Sequence, residues 1–154
     1  VDKAALLAAI LEKLRDDFEQ RQRASKQTRA GGSDAESRAE NKYDTLSTEE
    51  NYLADGLAKQ ALAAAQAAAT LEKMRLATFE PNTAIDLGAL VEVEFADRSR
   101  EWFFLAPAAG GTEVEHAGNT VTVLTPESPL GAQLLGRKTG ESTLAPKVVI
   151  RTVL

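Results

Sequence analysis

The run SPLGAQLLGRKTGE, Ser128 to Glu141, decides the reading of the fold. Ser128 supplies a hydroxyl of the kind that caps a helix N-terminus, and Pro129 suits the first helical position, where no N–H is needed. Gly136 suits a helix stop, because glycine enters the left-handed conformation without a steric penalty. The run therefore predicts one short helix over Pro129–Leu135, a glycine turn, and a charged turn leading into a last strand. Apolar residues at period two surround it. Leu90 to Phe95 alternates as LVEVEF, Ala96–Ser99 reads as a turn, and Glu101–Leu105 reads as the partner strand. Gly110-Gly111 marks another turn, Thr120–Thr125 a further strand and Val148–Leu154 the last. Trp102 reads as a sheet or core residue.

Upstream of about Ala77 the grammar differs. This half is rich in alanine, leucine and charge and has no proline. Leu7, Leu11, Leu14 and Phe18 recur at spacings of four and three, a heptad-type seam. Leu53, Leu57, Ala64, Ala67, Leu71 and Met74 follow the same rhythm on a second helix, for which Ser47 and Glu50 form a plausible capping box. Small residues over Ala61–Ala69 would let two backbones approach closely. Neither helix can bury its seam alone, so the pair is predicted to form an antiparallel hairpin, each arm about 28 residues and roughly 40 Å long. The expected class is α+β: a helical hairpin, a coiled coil, over 1–77 with its tip at about 30–45, and a sheet domain with one helix over 78–154.

Composition sets the outer limits. The chain has 154 residues and a formal net charge of −5, which argues against a dedicated duplex-DNA binder. Without cysteine there is neither a disulfide framework nor a thiolate metal site, and a reducing compartment fits. No apolar run reaches the roughly 20 residues needed to span a bilayer, and no signal peptide is visible. His116, the single histidine, sits in a polar stretch beside glycine and reads as a turn residue. No Walker loop, zincin helix, dinucleotide fingerprint or GxSxG elbow occurs.

The tip region carries the acids Asp34, Glu36, Glu40 and Asp44. Were it helical, Glu36, Glu40 and Asp44 would share a face at i, i+4 and i+8 and repel one another. A hard divalent cation relieves such repulsion, and Mg²⁺ typically takes one or two carboxylates with water and phosphate oxygens. Arg38 and Lys42 are interleaved with these acids, so a solvated polar loop is the competing reading. No all-protein cage is present, and metal held by this chain alone is not expected. Arg21, Arg23, Lys26 and Arg29 gather towards the end of the first helix. They suit phosphate contacts, or equally a helix C-terminus, whose dipole favours cations.

Two stretches resemble the Gre family, bacterial transcript-cleavage and elongation factors that act on RNA polymerase. IDLGALVEVEF (85–95) stands where the family has an opening strand of the type F-G-S-x-V-x-L. NTVTVLTPESPLGAQLLGRKTGE (119–141) stands for I-S-x-x-S-P-I-A-R-A-L-I-G-K-x-x-G-D, with Gln133 in place of the family arginine. The resemblance implies an FKBP-like C-terminal domain, a curved antiparallel sheet over one helix, whose acid/Ser-Pro corner grips the polymerase. Here that corner is Glu127, Ser128 and Pro129; the same residues would also serve for capping alone. The tip is similar to the family's G-D-L-x-E-N-A-E-Y through Glu40-Asn41 and Tyr43. Ser37 occupies the place of the first family acid, so Glu36, Asp34 or Asp44 replaces it, or the pair is incomplete. By this resemblance the chain is expected to be a cytoplasmic accessory factor and not itself an enzyme. It would bind RNA polymerase at the secondary channel, with tip acids assisting cleavage of backtracked RNA. It would hold no cofactor of its own, although Mg²⁺ would be shared with the polymerase site. The basic residues of the first helix would touch the RNA 3′ end, and DNA would be met only through the polymerase. The rival expectation is a channel binder that modulates or competes without stimulating cleavage; a third is a dimerisation arm.

Overall fold

A computed structural model describes the backbone of residues 2–38 and 44–154, and the side chains of these outside 29–52. Helix α1 runs Lys3–Arg38 and α2 runs Asp44–Glu72. Five strands follow, β1 (Leu90–Phe95), β2 (Arg100–Leu105), β3 (Glu113–His116), β4 (Asn119–Leu124) and β5 (Val148–Val153), with one short helix, α3 (Pro129–Leu134), between β4 and β5. The class is α+β, a helical pair followed by a sheet with one helix, as the periodicities indicate. The chain divides into two compact units, one of residues 14–66 and one of 1–13 with 67–154.

In the 14–66 unit the two helices pair antiparallel: Phe18, Gln22 and Lys26 line one groove with Leu62, Ala61 and Ala58. The stretch 30–44, which reads as a long connection, is helical through Gly31 and Gly32 to Arg38, and α2 already begins at Asp44. Ser47 therefore lies inside α2 rather than at its cap. The seam also departs from the expected one. Leu14 on α1 and a stripe of Ala54, Ala61 and Ala64 on α2 are all buried, whereas Leu53 and Leu62 stand 59% and 57% exposed. Alanine side chains let the backbones close in, and a leucine in that interface would hold them apart. Among the described residues of this seam Ser25 is the buried polar side chain, and its hydroxyl donates to the Ala54 carbonyl at 2.9 Å. A buried hydroxyl needs a partner, and this one fixes the axial register of the two helices.

In the other unit the first turns of α1 bury Leu6 and Ile10, with Leu71 from α2. Leu7 and Leu11, expected in the seam, are half-buried at its flank. Lys3 hydrogen-bonds the Gly88 carbonyl at 3.1 Å and the Ala77 carbonyl, with its ammonium 4.7 Å from the Phe79 ring centroid. Burial pulls its pKa below the ordinary lysine value. Gly88 takes φ +89 there, a left-handed backbone that side chains rarely adopt, while a Cβ on it would make only ordinary contact, 3.4 Å, with the Arg75 carbonyl oxygen.

The sheet order is β3-β4-β2-β1-β5. All neighbours are antiparallel except β2 and β4, which pair parallel from Trp102↔Val121 to Leu105↔Leu124. The sheet is thus mixed rather than wholly antiparallel. Strand β3, the one strand not expected, contains His116, which pairs with Asn119 across a tight turn at Ala117-Gly118. Val91, Val93, Phe103, Leu105, Val148 and Ile150 form the core together with Leu134 of α3. Trp102 is half-buried on the other side of the sheet, since residues alternate faces and its neighbour Phe103 belongs to that core. On that same side Glu94 takes Arg151 at 2.7 Å and Arg100 at 3.2 Å, and Glu92 takes Arg100 at 3.6 Å. The Arg151 guanidinium, hydrogen-bonded to Glu94, holds the Glu94 carboxyl below the usual range.

Candidate functional site

The corner before α3 is built from its own backbone. Ser128 folds back on Thr125: its N–H reaches the Thr125 carbonyl at 3.1 Å and its hydroxyl donates to the same oxygen at 2.7 Å. That hydroxyl accepts the Gly131 N–H at 3.1 Å, so it is the N-cap, and Pro129 follows as the first helical residue. Capping uses up the serine. Glu127 and Pro129, on either side of it, remain exposed.

Gly131 is buried and has no room for a side chain. A Cβ there would collide with the Thr125 carbonyl oxygen and lie 2.5 Å from Ser128 Oγ. Its φ is not positive, so the demand is for space and not for an unusual backbone. Leu134 is fully buried in the core, and Leu130 and Leu135 pack against it. Beyond them Gly136 turns at φ +79, as the sequence indicates. A pair of 2.8 Å hydrogen bonds, Gly136 N–H to Ile85 and Ile85 N–H to Arg137, ties the helix end to the segment before β1.

Gln133, which stands where the resembling family has arginine, spans from α3 to the loop before β5. Its amide oxygen accepts from the N–H groups of Leu144 at 3.0 Å and Ala145 at 3.1 Å. Its amide nitrogen donates to Ala145 at 2.5 Å and to the Pro129 carbonyl at 3.3 Å. Leu144 and Ala145 lie eleven and twelve residues away, a contact no local motif announces. Gly131 left a signal, a glycine inside a helical pattern, whose usual reason is packing.

The expected site residues on the helical pair are placed unevenly. Glu40 lies outside the described residues. Asp34, Glu36 and Arg29 fall on the α1 backbone and Asp44 at the start of α2, with side chains outside the described set. Arg23 is exposed and 3.9 Å from Glu19. Lys26 is exposed beside the groove of Phe18 and Leu62, and Arg21 is half-buried. Arg21 and Arg23 point about 200° apart around α1, so they do not share a face. Among the described residues no group of three or more His, Cys, Asp or Glu could hold a metal, and no helix is long and apolar enough to cross a membrane.

No protein-family model matches the sequence, and no curated relative does either. Among solved structures the chain aligns with the GreA factor homolog 1 (Gfh1) protein of Thermus thermophilus. The alignment has 16% identity and a TM-score of 0.37, and covers 97% of this chain and 93% of that one. A second structure, of the transcription factor Gfh1, aligns at the same identity and TM-score over 94% and 93%. A superposition at that level carries no argument about what this chain does.

Proposed function

We propose that the chain is a Gre-like transcription elongation factor, an accessory protein of the bacterial cytoplasm that binds RNA polymerase at its secondary channel. In this reading residues 78–154 dock at the channel mouth and the hairpin of residues 1–77 enters it. The reading rests above all on the run Ser128–Glu141. Its resemblance to the family's docking segment comes with a corner whose serine is consumed by capping while Glu127 and Pro129 stay free for a partner. Glu40, with Glu36, Asp34 or Asp44, would bring carboxylates to a Mg²⁺ that belongs to the polymerase, where the metal activates water on backtracked RNA. The bond cleaved and the groups that cleave it are the polymerase's, so this chain is not an enzyme. Arg21, Arg23, Lys26 and Arg29 would meet phosphates of the RNA 3′ segment.

One observation favours a second reading. Ser37 stands where the family's first tip acid is expected, which suits a channel binder that competes or modulates without stimulating cleavage. A transcript-cleavage assay on a stalled elongation complex, run beside a binding measurement, separates the two. Cleavage that falls away in Glu40→Ala supports the first reading. Tight binding without cleavage selects the second, and absence of binding refutes both.

A further inference from the structure

We infer that Leu144, presented by Gln133, is an apolar anchor that this chain adds to the Glu127–Ser128–Pro129 corner and seats in an apolar socket on RNA polymerase; the inference rests on the docking reading above. Leu144 is 86% exposed, more than any other large apolar residue named as exposed among the described ones. It is nevertheless held firmly. Thr143 on one side is fully buried, and its N–H bonds the Val148 carbonyl at 3.0 Å. The Thr143 hydroxyl donates to Pro146 at 2.5 Å and accepts from the Val148 N–H at 3.3 Å, which closes the loop 143–148 on itself. From the other side the Gln133 amide binds the Leu144 and Ala145 N–H groups and the Ala145 carbonyl.

The same Gln133 nitrogen also reaches the Pro129 carbonyl at 3.3 Å, so one side chain bonds both the first turn of α3, where the corner ends, and the Leu144 loop. Holding a leucine rigidly in water stabilises nothing within the fold. The arrangement fits a residue whose backbone is ordered before a partner arrives, which lowers the entropy cost of docking. A second copy of the chain is a poor occupant. One leucine falls far short of the roughly 1,200 Å² that a specific interface buries, whereas a partner already gripped by the corner needs only a socket for it. Gln133 is a positioning residue in this scheme, acting through the loop it staples.

The test uses the full chain, fluorescently labelled, titrated with bacterial core RNA polymerase. Leu144→Ser should weaken binding about 10- to 100-fold, the loss of one buried leucine, while its melting midpoint stays at the parent value because the side chain is 86% exposed. Leu144→Met, similar in volume and apolar, should bind like the parent. Gln133→Ala should weaken binding too, but add little in a chain that already carries Leu144→Ser, since both act through one contact. Leu144→Ser binding as tightly as the parent overturns the inference and leaves the docking reading intact. A full additional loss from Gln133→Ala in the Leu144→Ser chain overturns the positioning role. A parent dimer abolished by Leu144→Ser would assign the residue to self-association instead. Failure of the parent itself to bind refutes the docking reading, and the anchor with it.

Discussion

Gly131→Ala is the most informative single change in the sheet unit. Elsewhere in a helix alanine would be favoured over glycine by about 1 kcal/mol. Here the added methyl collides with the Thr125 carbonyl oxygen and presses on Ser128 Oγ. Neither can step aside freely. The carbonyl is a backbone atom that already accepts two hydrogen bonds from Ser128, and the hydroxyl is held at 2.7 Å to it. The two clashes are separate, so relief requires the cap to open, a loss of about 1 kcal/mol, and the helix to shift on its core away from the carbonyl, at about 1–3 kcal/mol. Set against the propensity gain, a net loss of roughly 2 kcal/mol is expected. For a chain of this size that lowers the melting midpoint by about 4–8 °C. Trp102 is the single tryptophan and lies in the sheet, so its fluorescence in urea reports on this unit. The midpoint should fall with the slope unchanged. A Gly131→Ala protein as stable as the parent, or more stable, would refute the steric argument and reduce Gly131 to an incidental glycine.

Three further outcomes are expected. Ser25→Ala should cost about 1 kcal/mol through the lost bond to the Ala54 carbonyl, and Ser25→Leu more, because it pushes the alanine stripe away; urea denaturation followed by helical circular dichroism checks both. Glu94 has a folded pKa below its unfolded one, so its contribution is present above the ordinary glutamate pKa and is lost as pH falls through the depressed value. Glu94→Gln should therefore flatten the acid limb of the stability curve and leave the limb above neutrality in place, measured by thermal melts across pH. Ser128→Ala should destabilise the corner by about 1 kcal/mol and be non-additive with Gly131→Ala, because part of the steric conflict leaves with the hydroxyl; the double variant's urea midpoint tests this.

Much of the sheet was legible because its strands obey period two where one face is buried. LVEVEF reads correctly to the residue, and the Ser-Pro start and Gly136 stop bound α3 closely. Strand β3 was not legible: EVEH is short, with two acids and a histidine at the sheet edge, and looks like solvent-facing loop. The parallel β2–β4 pairing is a long-range choice that local pattern does not encode. The helical seam was legible in part: Leu14, Ala64 and Leu71 are buried as the rhythm indicates. Leu6-Leu7 and Ile10-Leu11 offer two apolar stripes on α1, and the local pattern does not say which is buried. Size suggests that Leu53 is core, but a seam of alanines packed closely excludes it. The corner's two decisive residues differ in kind. Gly131 could be flagged from sequence but not explained, while Gln133 needs the loop at Leu144 to be seen beside it. The tip acids rest on the sequence alone, since Glu40 and the side chains of Asp34, Glu36 and Asp44 lie outside the described residues.

The grouping of residues 1–13 and 67–77 with the sheet bears on how such chains can be recombined. The feet of the helical pair share hydrogen bonds with the sheet unit through Lys3 and Gly88, so they travel with it as its own parts. A chimaera that exchanges helical arms between related factors should keep them, with joints between Lys13 and Leu14 on one arm and between Gln66 and Ala67 on the other. Any pair of arms grafted there has to bring a closely packed seam of its own, as Ala54, Ala61 and Ala64 provide here.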